Sequence, residues 1–328
     1  MMTPRRIQTI LDRHDLYWDA QRDELRELKA LYMTRFWKNK GSGMDGILRT
    51  ELPKTFEVVE SYLGALYSKH PAVRVEDDIR DRGNPTVAQA TANHYLSAIR
   101  EQLEDATRLA LIYPCSFIKL TPEQNVDPLK RVSCSSLPPW EVIVDETASS
   151  WDQQRYVGHV YLIPVEEAVE RFKVEEHEFT SRTWTKWIDD AGIAGTQSYT
   201  TDHSNSQEES WVRVVELYDM LDDKLLVWSP DHKACATDYL FEGIKVQVGA
   251  LEEGDDPEVE VVHERTGIPF KSASGQPIVP ILPLYFSRDP DTPLRGYSMV
   301  QRSLHQFREL NVLRTYQAQG VRRMARQW

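Results

Sequence analysis

Glu141 and Asp145 lie four residues apart in the run WEVIVD, and Glu216 and Asp219 lie three apart in VELYD; these are the pairs whose types and spacing come nearest to acid–base chemistry. Hydrolysis by two carboxylates needs them about 5 to 10 Å apart across a cleft. With a divalent metal to activate water, Asp145 and Glu141 would make a metal-dependent carboxylate hydrolase or nuclease. The chain holds 51 acids, so solvated surface is the plainer reading of both pairs.

Other chemistry finds less support. His232 and Cys235 are three apart, half of a metal site, and read as a surface turn. GSGMDG (Gly41 to Gly46) lacks the Lys-Ser/Thr that would reach phosphates and magnesium, and it follows a helix where a phosphate loop follows a strand. There is no GxSxG elbow. Three cysteines, Cys115, Cys134 and Cys235, give no CxxC pair and no even framework, which implies reduced thiols. Trp184 and Trp187 have Lys186 as their close basic neighbour, so core or subunit contact is a better reading than stacking on nucleic acid. No catalytic residue, metal or cofactor is assigned.

The elements that would position such residues change in character along the chain. From about Pro4 to Trp37, Ile7, Leu11, Trp18, Leu25, Leu28 and Tyr32 recur on one helical stripe, with His14 and Gln21 on the same line. A second helix is expected over Lys54 to Lys69, with Phe56, Val59, Leu63 and Leu66 inward, and a third over Thr86 to Tyr113, with Tyr95, Ile99, Leu103, Ala106 and Ala110 inward. Pro114 stops it. SFIKL, LKRVSC, WEVIVD and QRYVGHVYLI then read as strands of a small antiparallel sheet, and Glu166 to Phe172 as a short helix. Residues 191–210, rich in Gly, Ser, Thr and Asn, read as a mobile surface loop. WVRVVELYD, KLLVW, EVEVVHE and PIVPILPLYF resume the strands, with EEGDDPE (Glu252 to Glu258) as a solvated turn. Ser298 is placed to cap a long helix running to Ala325.

The fold class expected is α+β, a helical region packed on a mixed or antiparallel sheet and leading into a long C-terminal helix. Hydrophobic residues at 41% and charged residues at 27% suit a globular chain with a substantial core, and at 328 residues two or three structural units are expected. No apolar run approaches the roughly 18 to 20 residues that cross a bilayer, and the N-terminus turns amphipathic instead of forming a signal-peptide core; the expectation is a protein made in the cytosol, with no membrane partner. A net charge of −12 argues against a surface that grips nucleic acid throughout. Yet Tyr297 to Trp328 carries six arginines against one acid, Glu309, so a basic helix follows an acidic body. A helix of that length, ending in RRMARQW with no capping glycine, suggests a piece of a longer protein.

Taken in order, LPKTFEVVESYLGALYSKHPAVRVE, EQLEDATRLALIYPCSFIKL, LPPWEVIVDETASSWDQQRYVGHVYLIPVEEAVERF, VRVVELYD, PIVPILPLYF and RGYSMVQRSLHQFRELNVLRT resemble the portal, or head-to-tail connector, family of tailed bacteriophages, most closely the short-tailed type. The resemblance covers most of the chain and lies in order and spacing, since no single motif is unique.

The resemblance implies a non-enzymatic homo-oligomer, usually a dodecameric ring, at one capsid vertex. Such a ring is the channel for packaging and ejecting double-stranded DNA, which passes without sequence specificity. It docks on the major capsid protein, on the terminase or packaging ATPase and on tail adaptor proteins. The chain is then a virion component assembled in the host cytoplasm. On this analogy residues 1–113 are the helical part of a wing, 114–290 its β-rich part and 291–328 the start of a stem helix, while clip and crown are not evident. Candidate channel or inter-subunit positions are Arg302, Arg308, Glu309, Asn311 and Arg314, although solvated helix faces remain open for each. The rival readings are the metal-dependent hydrolase or nuclease above and a cytosolic scaffold with no role on DNA.

Overall fold

The computed structural model describes residues 2–37, 49–69, 72–75, 85–122, 132–179, 211–235, 237–242, 244–247, 262–265, 268–272, 275–289 and 295–325. The expected loops at 41–46, 191–210 and 252–258, Trp184 and Trp187, and the first part of EVEVVHE lie outside these residues.

Helix α1 spans Pro4–Tyr32, and the Thr3 hydroxyl accepts the Arg6 N–H at 3.3 Å to cap it. Its stripe is as expected except at the end, where Leu31 is buried and Tyr32 turns partly outward to donate to Glu60 at 2.7 Å. The two halves of α1 serve different cores. Trp18, Leu25, Leu28 and Leu31 pack with Val59 and Leu63 of α2 (Lys54–Leu66), Leu111 and Ile112 of α4 (Arg100–Ile112), and Met299, Val300 and Leu304 near the C-terminus. Ile7 and Leu11 instead lie on a sheet.

That sheet has five strands in the order β3-β4-β5-β6-β7: Val142–Val144, Tyr156–Pro164, Trp211–Asp219, Lys224–Trp228 and Phe241–Glu242. A three-stranded sheet is formed by β1 (Ser116–Pro122), β2 (Val132–Leu137) and β10 (Ile281–Leu284), in the order β10-β1-β2. Two ribbons complete the strands, β8 (Ile244–Gln247) with β9 (Val262–Arg265), and β11 (Ser287–Arg288) with β12 (Gly296–Tyr297). Every strand pair among the described residues is antiparallel. The fold is α+β.

The central strand β5 is covered on both faces, which is why WVRVVELYD is apolar at consecutive positions and does not alternate. Val215 and Leu217 face α1. Val212 and Val214 face the short helix α5 (Val165–Phe172), and Tyr218 faces the three-stranded sheet.

Several expected boundaries move. The third helix is two, α3 (Pro85–Ala98) and α4, joined at Ile99, whose own i→i−4 hydrogen bonds persist at 3.0 Å on either side. Just after this junction the Arg100 guanidinium donates to the Tyr67 carbonyl, 2.8 Å away at the end of α2. Phe56 and Leu66 are exposed, not inward. WEVIVD forms a strand over three residues alone: Pro139–Glu141 is a 3-10 turn, because Pro138 and Pro139 cannot donate to a ladder, so Glu141 precedes β3 and does not lie on it. PIVPILPLYF is likewise shortened by Pro277 and Pro280 to four residues on a sheet edge, where Pro283 is tolerated within the strand. The expected C-terminal helix is divided at Ser303 into α6 (Met299–Arg302) and α7 (Leu304–Ala325), with Ser298 capping through Gln301 N at 2.8 Å as expected. At about 1.5 Å per residue α7 is ~33 Å long.

Candidate functional site

The basic C-terminal helix is where the site residues were expected, and its entry segment is built residue by residue. Arg295 donates to Glu146. Gly296 lets β12 approach so closely that a Cβ there would stand 2.5 Å from the Ser287 carbonyl and 2.9 Å from that of Pro114. The Tyr297 ring carries the Arg302 guanidinium 5.7 Å from its centroid. Ser298 is fully buried as the cap, and Met299 and Val300 enter the helical core.

From there α7 presents two faces. The inner one is partly polar. Asn311, 4% exposed, accepts the Leu52 N–H at 2.9 Å and donates to the Phe307 carbonyl at 3.0 Å. One turn on, the buried Thr315 hydroxyl accepts the Thr50 N–H at 3.0 Å and lies 3.2 Å from the Thr50 carbonyl, to which it can donate. Two side chains thus offer residues 50–52 the pairing that a strand would otherwise supply. Arg308 pairs with Glu27 of α1, and this carboxylate raises its pKa. Gln301 reaches Glu24 of α1 at 2.7 Å.

The expected positions therefore divide. Asn311 is buried and bonded to Leu52 and Phe307, and Arg308 pairs within the chain with Glu27. Arg302 is exposed and donates to Ser287 at 2.7 Å. Glu309 and Arg314 are exposed on the outer face. Leu313, Tyr316, Val321 and Met324 are also exposed on α7, at 51%, 67%, 68% and 66%.

The carboxylates considered for hydrolysis are engaged elsewhere. Asp145 follows β3 and is buried; it accepts from Arg155 Nε at 2.6 Å, from the Thr147 hydroxyl at 2.6 Å and from Thr147 N at 3.1 Å. Burial alone would push this carboxyl up, but these bonds outweigh it and hold the pKa below the usual range. Both oxygens of Asp145 are thus bonded within the chain, by Arg155 and Thr147. Glu141 stands 3.9 Å from His159. Among the described residues no group of three or more His, Cys, Asp or Glu side chains is placed to hold a metal ion. Cys235 closes its turn by accepting from Trp228 Nε1 at 2.6 Å through its carbonyl.

The structure reveals one polar cluster that the sequence did not suggest. On the face of the five-stranded sheet away from α1, His159 and Tyr161 of β4 and Glu216 of β5 meet Lys119 of β1. Lys119 donates to one Glu216 oxygen and stands 3.0 Å from His159 Nδ1. Tyr161 at 2.7 Å and Arg171 of α5 at 3.1 Å donate to the other oxygen. Burial opposes the Glu216 charge, but Lys119, His159 and the hydrogen bonds prevail and bring its pKa down to about 2. Burial lowers that of His159 against the pull of Glu141. With both Glu216 oxygens bonded, this cluster fastens the two sheets.

No protein-family model matches the chain, and neither does any curated protein. No described helix is long and apolar enough to cross a membrane.

Proposed function

We propose that the chain is a subunit of a tailed-phage portal, working as one copy of a ring, with twelve subunits the number the resemblance suggests. The observation that carries the reading is α7: one face is seated on α1 and on residues 50–52, and the rest of its ~33 Å leaves Leu313, Tyr316, Val321 and Met324 exposed beside arginines. A helix anchored at its root with an apolar outer side is suited to packing against its own copy around an axis, and a heterologous contact repeated by rotation closes into a ring. The order of segments from LPKTFEVV to RGYSMVQ supports the same reading.

On this proposal residues 1–290 form the wing and α7 begins the stem. The ring sits at the capsid vertex, where it passes double-stranded DNA and serves as the dock for major capsid protein, packaging ATPase and tail adaptors. An acidic body with isolated arginines suits DNA that must slide, because tight neutralisation of phosphates would hold it. No group in the chain is assigned a reaction.

Native mass measurement and electron-microscope class averages of the purified full chain test the proposal. A closed ring of a single subunit count is expected. A monomer that persists at high concentration, or turnover of a phosphodiester substrate, overturns it. A neighbouring gene for a packaging ATPase would separate the portal from a scaffold without a DNA role.

A further inference from the structure

Between the first half of α1, the end of β3 and the start of β12 lies a cavity of about 230 Å³. Four arginines line it: Arg6 and Arg13 two turns apart on α1, Arg155 before β4, and Arg295 before β12. Two carboxylates face them, and each already has its own partner. Asp145 takes Arg155, and Glu146 takes Arg295. Among the described residues Arg6 and Arg13 have no ion-pair partner, so positive charge is left over at the cavity wall. His14 on that wall adds no charge of its own near pH 7: burial holds its pKa down at about 4, and its Nε2–H donates to the Trp140 carbonyl at 2.9 Å.

Arg295 is the second, independent sign. Its side chain is 17% exposed, and the Tyr17 ring fixes it from one side with the guanidinium carbon 3.1 Å from the ring centroid. Its Nη1 is nonetheless buried without any hydrogen-bond partner. A guanidinium nitrogen taken from water and given no acceptor is an unfavourable arrangement, and the Arg295 side chain that carries it lines the cavity. Burial also lowers the Arg295 pKa to about 10, as expected of a cation that lacks full compensation.

We infer that this cavity binds a small phosphate-class oxyanion, with Arg6, Arg13 and Arg295 as its donors. Guanidinium groups arriving from separate elements suit a tetrahedral anion with oxygens on several sides, whereas a carboxylate is satisfied by one fork. At about 30 Å³ of liquid volume per water, 230 Å³ has room for such an ion and a small substituent. The source is either free phosphate or a small phosphate monoester. This inference stands apart from the ring reading and survives its failure.

The test titrates the full chain near neutral pH with inorganic phosphate, with adenosine monophosphate and with acetate, at ionic strength held constant with sodium chloride. Binding is read by thermal unfolding and by broadening of the phosphorus resonance. Saturable binding of phosphate with none of acetate is expected, and tighter binding of the monophosphate would identify an ester as the source. Arg6→Ala and Arg13→Ala remove exposed, unpaired side chains, so the fold should persist while affinity falls about tenfold, equivalent to one charge-assisted contact. Arg314→Ala, on the outer face of α7, should bind as the parent does. Equal effects of phosphate and chloride at matched ionic strength, or Arg6→Ala and Arg13→Ala chains that bind like the parent, overturn the inference.

Discussion

Asn311 holds Leu52 as a neighbouring strand would, its side-chain Oδ1 accepting the backbone N–H at 2.9 Å from a position 259 residues away in sequence. Thr315 repeats the service for Thr50 one turn later. The approach to α2 is therefore fastened to α7 by side chains, and the root of the long helix depends on two polar residues in its buried face.

Asn311→Ala should cost about 1 to 3 kcal/mol, because the Leu52 N–H is then left in a partly buried site without an acceptor. Chemical denaturation measures the loss. Asn311→Asp keeps the acceptor and should recover part of it; an Asn311→Ala chain as stable as its parent would show that water replaces the amide freely.

Glu216→Gln should be more damaging, by about 3 to 5 kcal/mol, since it strands the buried Lys119 ammonium. The paired replacement Lys119→Met with Glu216→Leu removes both charges and should recover much of the loss. A double variant no better than the single would mean that the cluster contributes through Tyr161 and Arg171 rather than through the ion pair.

Stability should fall in two separate steps as pH is lowered. His14 has a folded pKa of about 4 against 6.5 for the free group, so between those values the unfolded chain binds the extra proton. Its contribution is full above pH 6.5 and lost by pH 4, amounting to about 3 kcal/mol. Glu216, at about 2 against 4.5, acts below that window: its contribution is present above pH 4.5 and lost as pH falls through 2. Urea midpoints from pH 7 down to 4 should therefore lose part of their slope in His14→Gln, the rest coming from His159, whose pKa burial also lowers. An unchanged slope in His14→Gln would place the titration elsewhere.

Gly296→Ala is expected to destabilise by about 1 to 3 kcal/mol, because the added methyl would stand 2.5 Å from the Ser287 carbonyl and must push β11 and β12 apart. Gly320→Ala is the control: open space surrounds that position, and a helical alanine should stabilise slightly. Thermal unfolding of the two chains side by side decides it.

Leu313→Asp combined with Tyr316→Asp tests the outer side of α7. Both side chains are more than half exposed, so the subunit should keep its stability to within about 0.5 kcal/mol. If the ring proposal holds, sedimentation should show the assembly reduced to single subunits. An intact assembly would move the contact to another surface.

The sequence made α1 legible because its stripe obeys one period over eight turns, and Ser298 legible because a cap is a local chemical signal. Strand ends were read less well. Prolines at 138, 139, 277 and 280 truncate runs whose composition alone promises longer strands. The Lys119–Glu216 pair could not be read at all: its partners lie 97 residues apart, and the pairing follows from how one sheet is laid on another. Asn311 did carry a usable signal, an amide on the line of Leu304 and Thr315, where a solvent-facing residue would not fall. The cavity arginines were invisible as a set because three segments far apart in sequence supply them.

The docking of α6 and α7 on α1 also sets a timetable for synthesis. Trp18, Leu25 and Leu28 leave the ribosome early, yet part of their cover, Met299, Val300 and Leu304, is made some 270 residues later. At about 5 to 20 residues per second that interval is roughly 15 to 50 s. During it the nascent chain carries an uncovered oily strip, a natural landing place for a chaperone and a hazard for any message translated by closely spaced ribosomes.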